Sequence, residues 1–159
     1  MTGRALVLML SGCLALLGGC SAIDSVKGLI GLGPAHAALR TLRVSADPAA
    51  NGGSATQLDV VAVYSDAALA KLPGTGPEWF RQRQALQKSL AADIEVKSLQ
   101  VPAAYPAFKA ELPARVAKAV AVLVFANYVG EAGWPAITLT PYARAELRLQ
   151  PDDIAVSGH

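Results

Sequence analysis

Apolar positions in this chain follow two regimes: one short unbroken run at the N-terminus, then short alternating stretches from residue 39 onward. Leu42, Val44 and Ala46 alternate with Thr41, Arg43 and Ser45, the period-two pattern of a half-buried strand. Leu58 to Tyr64 is β-branched and mostly apolar, which predicts a central strand. Between the two, Asp47-Pro48-Ala49-Ala50-Asn51-Gly52-Gly53-Ser54 is a dense turn cluster. Asp66 to Leu72 reads as one or two helical turns capped by Asp66 and stopped by Pro73-Gly74-Thr75-Gly76-Pro77. Glu78 to Ala92 is the main predicted helix, with Trp79, Leu86 and Leu90 on one stripe.

Strand character returns from Ile94 to Val101. Leu99 and Val101 fall out of phase with Ile94 and Val96, which predicts a bulge. Phe108, Ala110 and Leu112 form a short edge strand between Pro106 and Pro113. Ala117 to Tyr128 is apolar on both faces, as a buried sandwich strand is, and too short for the ~20 residues of a membrane span. Ile137 to Thr140, Ala143 to Leu149 and Ile154 to Ser157 close the chain, with Ala143, Ala145, Leu147 and Leu149 facing inward. Seven or eight short strands around one helical excursion predict a mainly all-β fold, a β-sandwich with a short helical insertion over residues 39–159. No internal repeat is visible.

The N-terminal run has a different meaning. Met1 to Arg4 carries one positive charge, Ala5 to Leu17 is apolar or small, and Leu17-Gly18-Gly19-Cys20 follows. This is the layout of a secretory signal. Its end has the form of a lipobox, where diacylglycerol is attached to a thiol and the chain is cut before it. The expectation is a signal peptide over residues 1–19 and lipid attachment at Cys20. Leu10-Ser11-Gly12-Cys13 fits the same pattern, but cutting there leaves an apolar core shorter than the usual ~7–15 residues, so Cys20 is preferred over Cys13. Each buried lipid methylene adds ~0.8 kcal/mol, so the several chains of a lipoprotein cysteine anchor durably. Ser21, where aspartate would favour inner-membrane retention, points to the outer membrane, with the domain facing the periplasm. Residues 20–38 read as the lipidated cysteine and a flexible tether broken by Gly28, Gly31, Gly33 and Pro34. As a coil, its residues span ~24 Å.

Composition narrows the function classes. Without Arg4 the mature chain keeps 13 of 14 Lys+Arg against 12 Asp+Glu, so it lacks the basic excess of a nucleic-acid binder. With Cys13 removed and Cys20 lipidated, no thiol remains for a disulfide. Candidate chemistry is sparse. His36 lies in the tether and His159 is the last residue; they build no metal site or base–nucleophile pair. Asp152-Asp153 reads as a turn, Arg81 and Arg83 as a solvated helix face, and Trp79 and Trp134 as core or rim packing. No phosphate loop or Cys/His cluster is present. No enzyme activity, cofactor, metal or small-molecule substrate is expected. The alternative class is a periplasmic lipoprotein that binds a ligand or glycan, or assists outer-membrane assembly, with Trp79, Trp134 and Tyr128 lining a cleft.

The order of features carries a resemblance. A lipobox cysteine and tether precede the strand Leu42-Arg43-Val44-Ser45-Ala46-Asp47, the loop Pro48 to Thr56 and the strand Leu58-Asp59-Val60-Val61-Ala62-Val63-Tyr64. A helix around Trp79-Phe80, the strand Ala121 to Tyr128 and Trp134 follow. This pattern resembles the outer-membrane lipoprotein family of the type VI secretion system (TssJ, also called SciN). The resemblance implies a transthyretin-like, immunoglobulin-like sandwich. It implies a structural anchor of the trans-envelope complex that binds the periplasmic domain of the inner-membrane protein TssM. It also implies that the partner-binding loop is Asp47, Pro48, Ala49, Ala50, Asn51, Gly52, Gly53, Ser54, Ala55 and Thr56.

Overall fold

A computed structural model describes residues 36–129 and 133–159. The predicted signal peptide, Cys13, Cys20 and the tether as far as residue 35 lie outside the described residues.

Among the described residues eight strands and two α-helices follow one another: β1 (Thr41–Ala46), β2 (Thr56–Val63), α1 (Asp66–Leu69), α2 (Gly76–Ser89), β3 (Ile94–Val101), β4 (Phe108–Ala110), β5 (Ala121–Asn127), β6 (Ile137–Thr138), β7 (Arg144–Leu149) and β8 (Ile154–Gly158). They form two four-stranded sheets, ordered β4-β1-β7-β8 and β3-β2-β5-β6. β1 and β7 run parallel; every other pairing is antiparallel. The mainly all-β sandwich with a helical insertion is therefore the observed architecture.

The pleat explains the layering. Successive strand residues point to opposite faces. In the first sheet Leu42, Val44, Ala145, Leu147 and Leu149 point inward and are buried, as the alternation predicts. In the second sheet Leu58, Val60, Ala62, Val122, Val124 and Ala126 meet them across the sandwich. The odd positions of β2 and β5 point the other way. Val61, Val63, Ala121 and Phe125 form a second core with Trp79, Leu90 and Ile94 beneath the helices. β2 is thus buried on both faces, which its near-continuous apolar run demanded. Both cores lie within the single unit His36–His159.

One polar residue sits in the β2 run. Asp59 is fully buried on the helix side. Trp79 Nε1 donates to its Oδ2 at 2.8 Å, and the Arg83 guanidinium lies 3.3 Å from the same oxygen. Gln57 Nε2 donates to the other oxygen at 3.4 Å. A buried charge is costly unless paired and hydrogen-bonded, so these donors fix where α2 lies. The Trp79 ring then stacks on Phe125, centroids 4.7 Å apart and planes within 10°. Arg83, expected on a solvated helix face, is instead the counter-ion of this carboxylate.

Helix boundaries also shift. α2 starts earlier than expected because Pro77 occupies its first turn, where a missing N–H costs nothing. Gly76 is required there: a Cβ would collide with the Ala126 carbonyl. α1 is capped by Ser65, whose Oγ accepts from Ala68 N–H at 3.2 Å, and not by Asp66. The bulge expected in β3 is absent. β3 pairs with β2 without interruption from Val63↔Ile94 to Thr56↔Val101. The phase change arises because Ile94 and Val96 pack under the helices while Leu99 and Val101 pack into the sandwich.

A second carboxylate ties the β4–β5 connection to this sheet. Glu95 accepts from Tyr64 Oη at 2.8 Å and from the N–H groups of Ala114 and Arg115 at 2.6 and 3.3 Å. Arg115 also covers the Tyr64 ring, 4.2 Å from its centroid. Burial pushes the Tyr64 phenol up to about 12, with the Glu95 bond adding to it. For Glu95 burial acts upward, but the Tyr64 and backbone donors and the Arg115 charge outweigh it and hold the carboxyl below its ordinary 4.5.

Two outcomes follow. Trp79→Ala should cost ~3–5 kcal/mol in urea unfolding, whereas Trp79→Phe should keep the stack and lose ~1–3 kcal/mol by leaving Asp59 short of a donor. A Trp79→Phe protein as stable as the parent would remove the N–H bond from this account. Second, a depressed carboxyl stabilises the fold above its unfolded pKa, and that stability is lost as pH falls through the folded value. Acid unfolding should therefore steepen below about pH 4.5, and Glu95→Gln should flatten it; an unchanged acid slope in the variant would contradict the Glu95 assignment.

Candidate partner-binding loop

Strand direction puts four connections at one end of the sandwich. Residues 47–55 join β1 to β2, residues 102–107 join β3 to β4, the β5–β6 connection follows Asn127, and residues 150–153 join β7 to β8. The registers Thr56↔Val101, Gln57↔Asn127, Val44↔Phe108 and Ala46↔Leu149 bring them together. The described chain begins at the opposite end, where Ala37 N–H donates to Ala119 and Arg40 N–H to Ala143. Strands of this length separate the two ends by roughly 20 Å.

The β1–β2 loop is held at both its roots. Asp47 Oδ1 accepts from Arg148 Nε at 2.9 Å. The Asp47 carbonyl accepts from Ala50 and Ala104 N–H at 3.0 and 3.1 Å. Asn51, Gly52 and Gly53 then run through three consecutive left-handed conformations, φ 51°, 62° and 78°. Asparagine and glycine are the residues that adopt this region at low cost. Nothing lies within 4 Å of a Cβ built on either glycine, so the requirement is the backbone turn and not space.

Asn51 does not face a partner. It is buried, and its Oδ1 accepts from Val129 N–H at 2.6 Å. Its Nδ2 reaches the Ala55 and Asn127 carbonyls, each at 3.5 Å. Of the ten loop residues singled out from the sequence, Ala50, Asn51 and Thr56 are buried and Asp47 is half-buried in its ion pair. Pro48, Ala49, Gly52, Gly53, Ser54 and Ala55 are exposed. The presentable part of the loop is thus the glycine turn and the residues after it, stapled from below by Asn51.

Val129 and Arg148 belong to this end, and no local pattern points to them, because their contacts with the loop span 78 and 101 positions. Val129 is 78 % exposed, an unusual setting for a large apolar residue in the structure. Beside it, Tyr128 donates to the Gln150 carbonyl at 2.7 Å and packs edge-on against Trp134. Burial, and then the charges of Asp153 and Asp47, push its phenol up to about 12.

The aromatic cleft expected of a ligand-binding sandwich is not formed. Trp79 is sealed under α2, while Tyr128 and Trp134 pack on the sandwich core on the other side of the sheet. His36 and His159 remain apart from any cluster, and among the described residues no group of His, Cys, Asp or Glu is placed to hold a metal ion. No described helix is long and apolar enough to cross a membrane.

These features define a class: a two-sheet sandwich with a helix over one face and a glycine-turn loop at the end away from where the chain comes in. Solved structures of this class share its fold. The type VI secretion lipoprotein TssJ1 from Pseudomonas aeruginosa is 12% identical, with a TM-score of 0.56 over 75% of this chain and 94% of that one. Serratia marcescens Lip, a membrane-bound component of the type VI secretion system, is 13% identical, with a TM-score of 0.52 over 75% and 95%. A chain of a type VI membrane complex gives 13% and 0.52, over 75% and 98%. The fold is TssJ-like. No protein-family model and no curated protein matches the sequence.

Asn51→Gly keeps the left-handed turn and removes the staple. It should cost ~1–3 kcal/mol in thermal or urea unfolding and accelerate hydrogen exchange at the Val129 amide. Unchanged exchange at Val129 would show that the side chain does not hold the loop.

Proposed function

We propose that this protein is the lipid-anchored lipoprotein of a type VI secretion envelope complex. Anchored at Cys20 in the outer membrane and facing the periplasm, it holds the periplasmic domain of the inner-membrane component TssM through the loop Asp47–Thr56. The observation that carries this reading is the TssJ-like fold with its glycine loop at the end opposite the incoming chain. A tether of ~24 Å leaves that end free to meet a partner in the periplasm. A rigid sandwich presenting one loop suits binding more than catalysis. The exposed backbone of Gly52 and Gly53 offers unshielded donors and acceptors, and Val129 adds an apolar contact beside them.

The reading is tested by binding and by processing. The purified periplasmic domain of the cognate inner-membrane component should bind the mature chain. Ser54→Arg with Ala55→Arg, both exposed, should leave the fold intact and weaken binding by ~10- to 100-fold, as loss of a central contact does. Lys118→Glu, near the other end, should not. Mass spectrometry of the membrane form should find acyl chains on Cys20. Undiminished binding by the double variant would remove the loop from the interface, and an acylated Cys13 would move the anchor.

A further inference from the structure

The two sheets differ on their outer faces. That of β3-β2-β5-β6 is covered by α2. Among the described residues that of β4-β1-β7-β8 is uncovered, with the outward positions of β1 and β7 exposed or half-buried. Its charges are mostly of one sign. Lys109, Arg43 and Glu146 lie in one row across β4, β1 and β7, with Arg144 and Arg148 two residues to either side of Glu146. Arg148 is neutralised by Asp47. Among the described residues no carboxylate lies within 4 Å of Arg43, Lys109 or Arg144. In a chain with near-equal numbers of acids and bases, three unpaired cations sit on one face beside the acid Glu146, while Glu111 at its β4 edge pairs with Lys97. The exposed acids Asp152 and Asp153 lie at the loop end. Between Arg43 and Arg144 the face is dished into an open hollow of about 410 Å³, lined also by Thr41, Glu146, Ser157 and His159.

This sheet is also the one that the described chain enters first. The incoming chain leads directly into β1, at the centre of this sheet, and Arg40 NH1 donates to the carbonyls of Ala37, Ala38 and Leu39 at 2.9–3.2 Å, stiffening the join. Cys20 lies only 16 positions before His36. With the tether of the proposed function, a coil of that length gives a roughly millimolar effective concentration at a membrane, so a weak attraction is enough to dock the face.

We propose that the bare β4-β1-β7-β8 face docks on anionic phospholipid of the membrane that holds the tether, with Arg43, Lys109 and Arg144 contacting headgroup phosphates. Arginine and lysine are the side chains suited to phosphate, and the hydroxyls on the rim of the hollow add donors. Docking lays the strands along the membrane and directs the loop end sideways. The proposal rests on the membrane-tether part of the proposed function and is independent of the partner loop.

The test uses acyl-free residues 21–159, which contain the whole folded unit, so lipid attachment cannot supply the binding. The protein should sediment with vesicles of phosphatidylglycerol and phosphatidylcholine and not with phosphatidylcholine alone. Salt should release it as the screening length falls below ~10 Å, above about 0.1 M. Each near-surface cation strengthens such binding roughly fivefold. Arg43→Ser with Lys109→Ser and Arg144→Ser should therefore weaken it by ~100-fold. Lys71→Ser with Arg81→Ser and Lys88→Ser changes net charge equally on the other side and should preserve binding. Circular dichroism confirms that each variant is folded, and Arg43→Ser alone, expected to lose about fivefold, replaces the triple variant if that fails to fold. No preference for the anionic vesicles, or equal losses in both triple variants, overturns the proposal. So does binding to isolated peptidoglycan, in place of vesicles, that the face variant abolishes. These outcomes leave Cys20 acylation untouched, since the mass of the mature N-terminus reports on that separately.

Discussion

The burial of β2 on both faces is the constraint from which the rest of the architecture follows. Leu58, Val60 and Ala62 point into the sandwich, while Val61 and Val63 point out of it. A strand of this kind cannot lie on an open sheet. Its outer side must be covered, and α2 covers it. Asp59 turns that cover from a generic apolar contact into a specific one: a buried carboxylate accepts only a site that brings donors, and Trp79 and Arg83 bring them from one helix face. The Trp79–Phe125 stack then contributes ~0.5–1.5 kcal/mol beyond area burial. The carboxylate thus sets register more than it adds stability.

Among the described residues the other sheet is uncovered, and this asymmetry organises the surface. The exposed β4-β1-β7-β8 face carries the unpaired cations Arg43, Lys109 and Arg144. The antiparallel connections within and between sheets collect four loops at one end, while the incoming chain joins β1 at the other. A domain built this way has a root, a flank and a tip with different chemistry. The root is where the described chain begins, the flank is cationic, and the tip carries a glycine turn, an exposed valine and two aspartates. The tip is held without a disulfide. Asn51 and the Asp47–Arg148 pair do that work through bonds to chain segments far away in sequence.

Much of the fold was legible in the residues. Alternation at Leu42, Val44 and Ala46, and at Ala145, Leu147 and Leu149, predicted both the strands and their buried faces. The apolar run of β5 and the Pro-flanked β4 were also read correctly. Two misreadings share one cause. The bulge expected in β3 and the solvated Arg83 both assumed a single core with one inside. β3 changes phase because it serves two cores, and Arg83 is drawn in by Asp59.

The sequence by itself determined what period and punctuation encode: which segments become strands, which faces they bury, where the turns fall, and the signal-and-lipobox pattern at the N-terminus. Local alternation carries this information because a strand's side chains point to opposite faces whatever lies opposite. Only the tertiary structure decided which strands are neighbours, including the parallel pair β1 and β7, and which polar residues meet. Asp59 with Trp79, Asn51 with Val129 and Asp47 with Arg148 are 20, 78 and 101 positions apart. Such pairings form when packing brings segments together, and no local pattern records them.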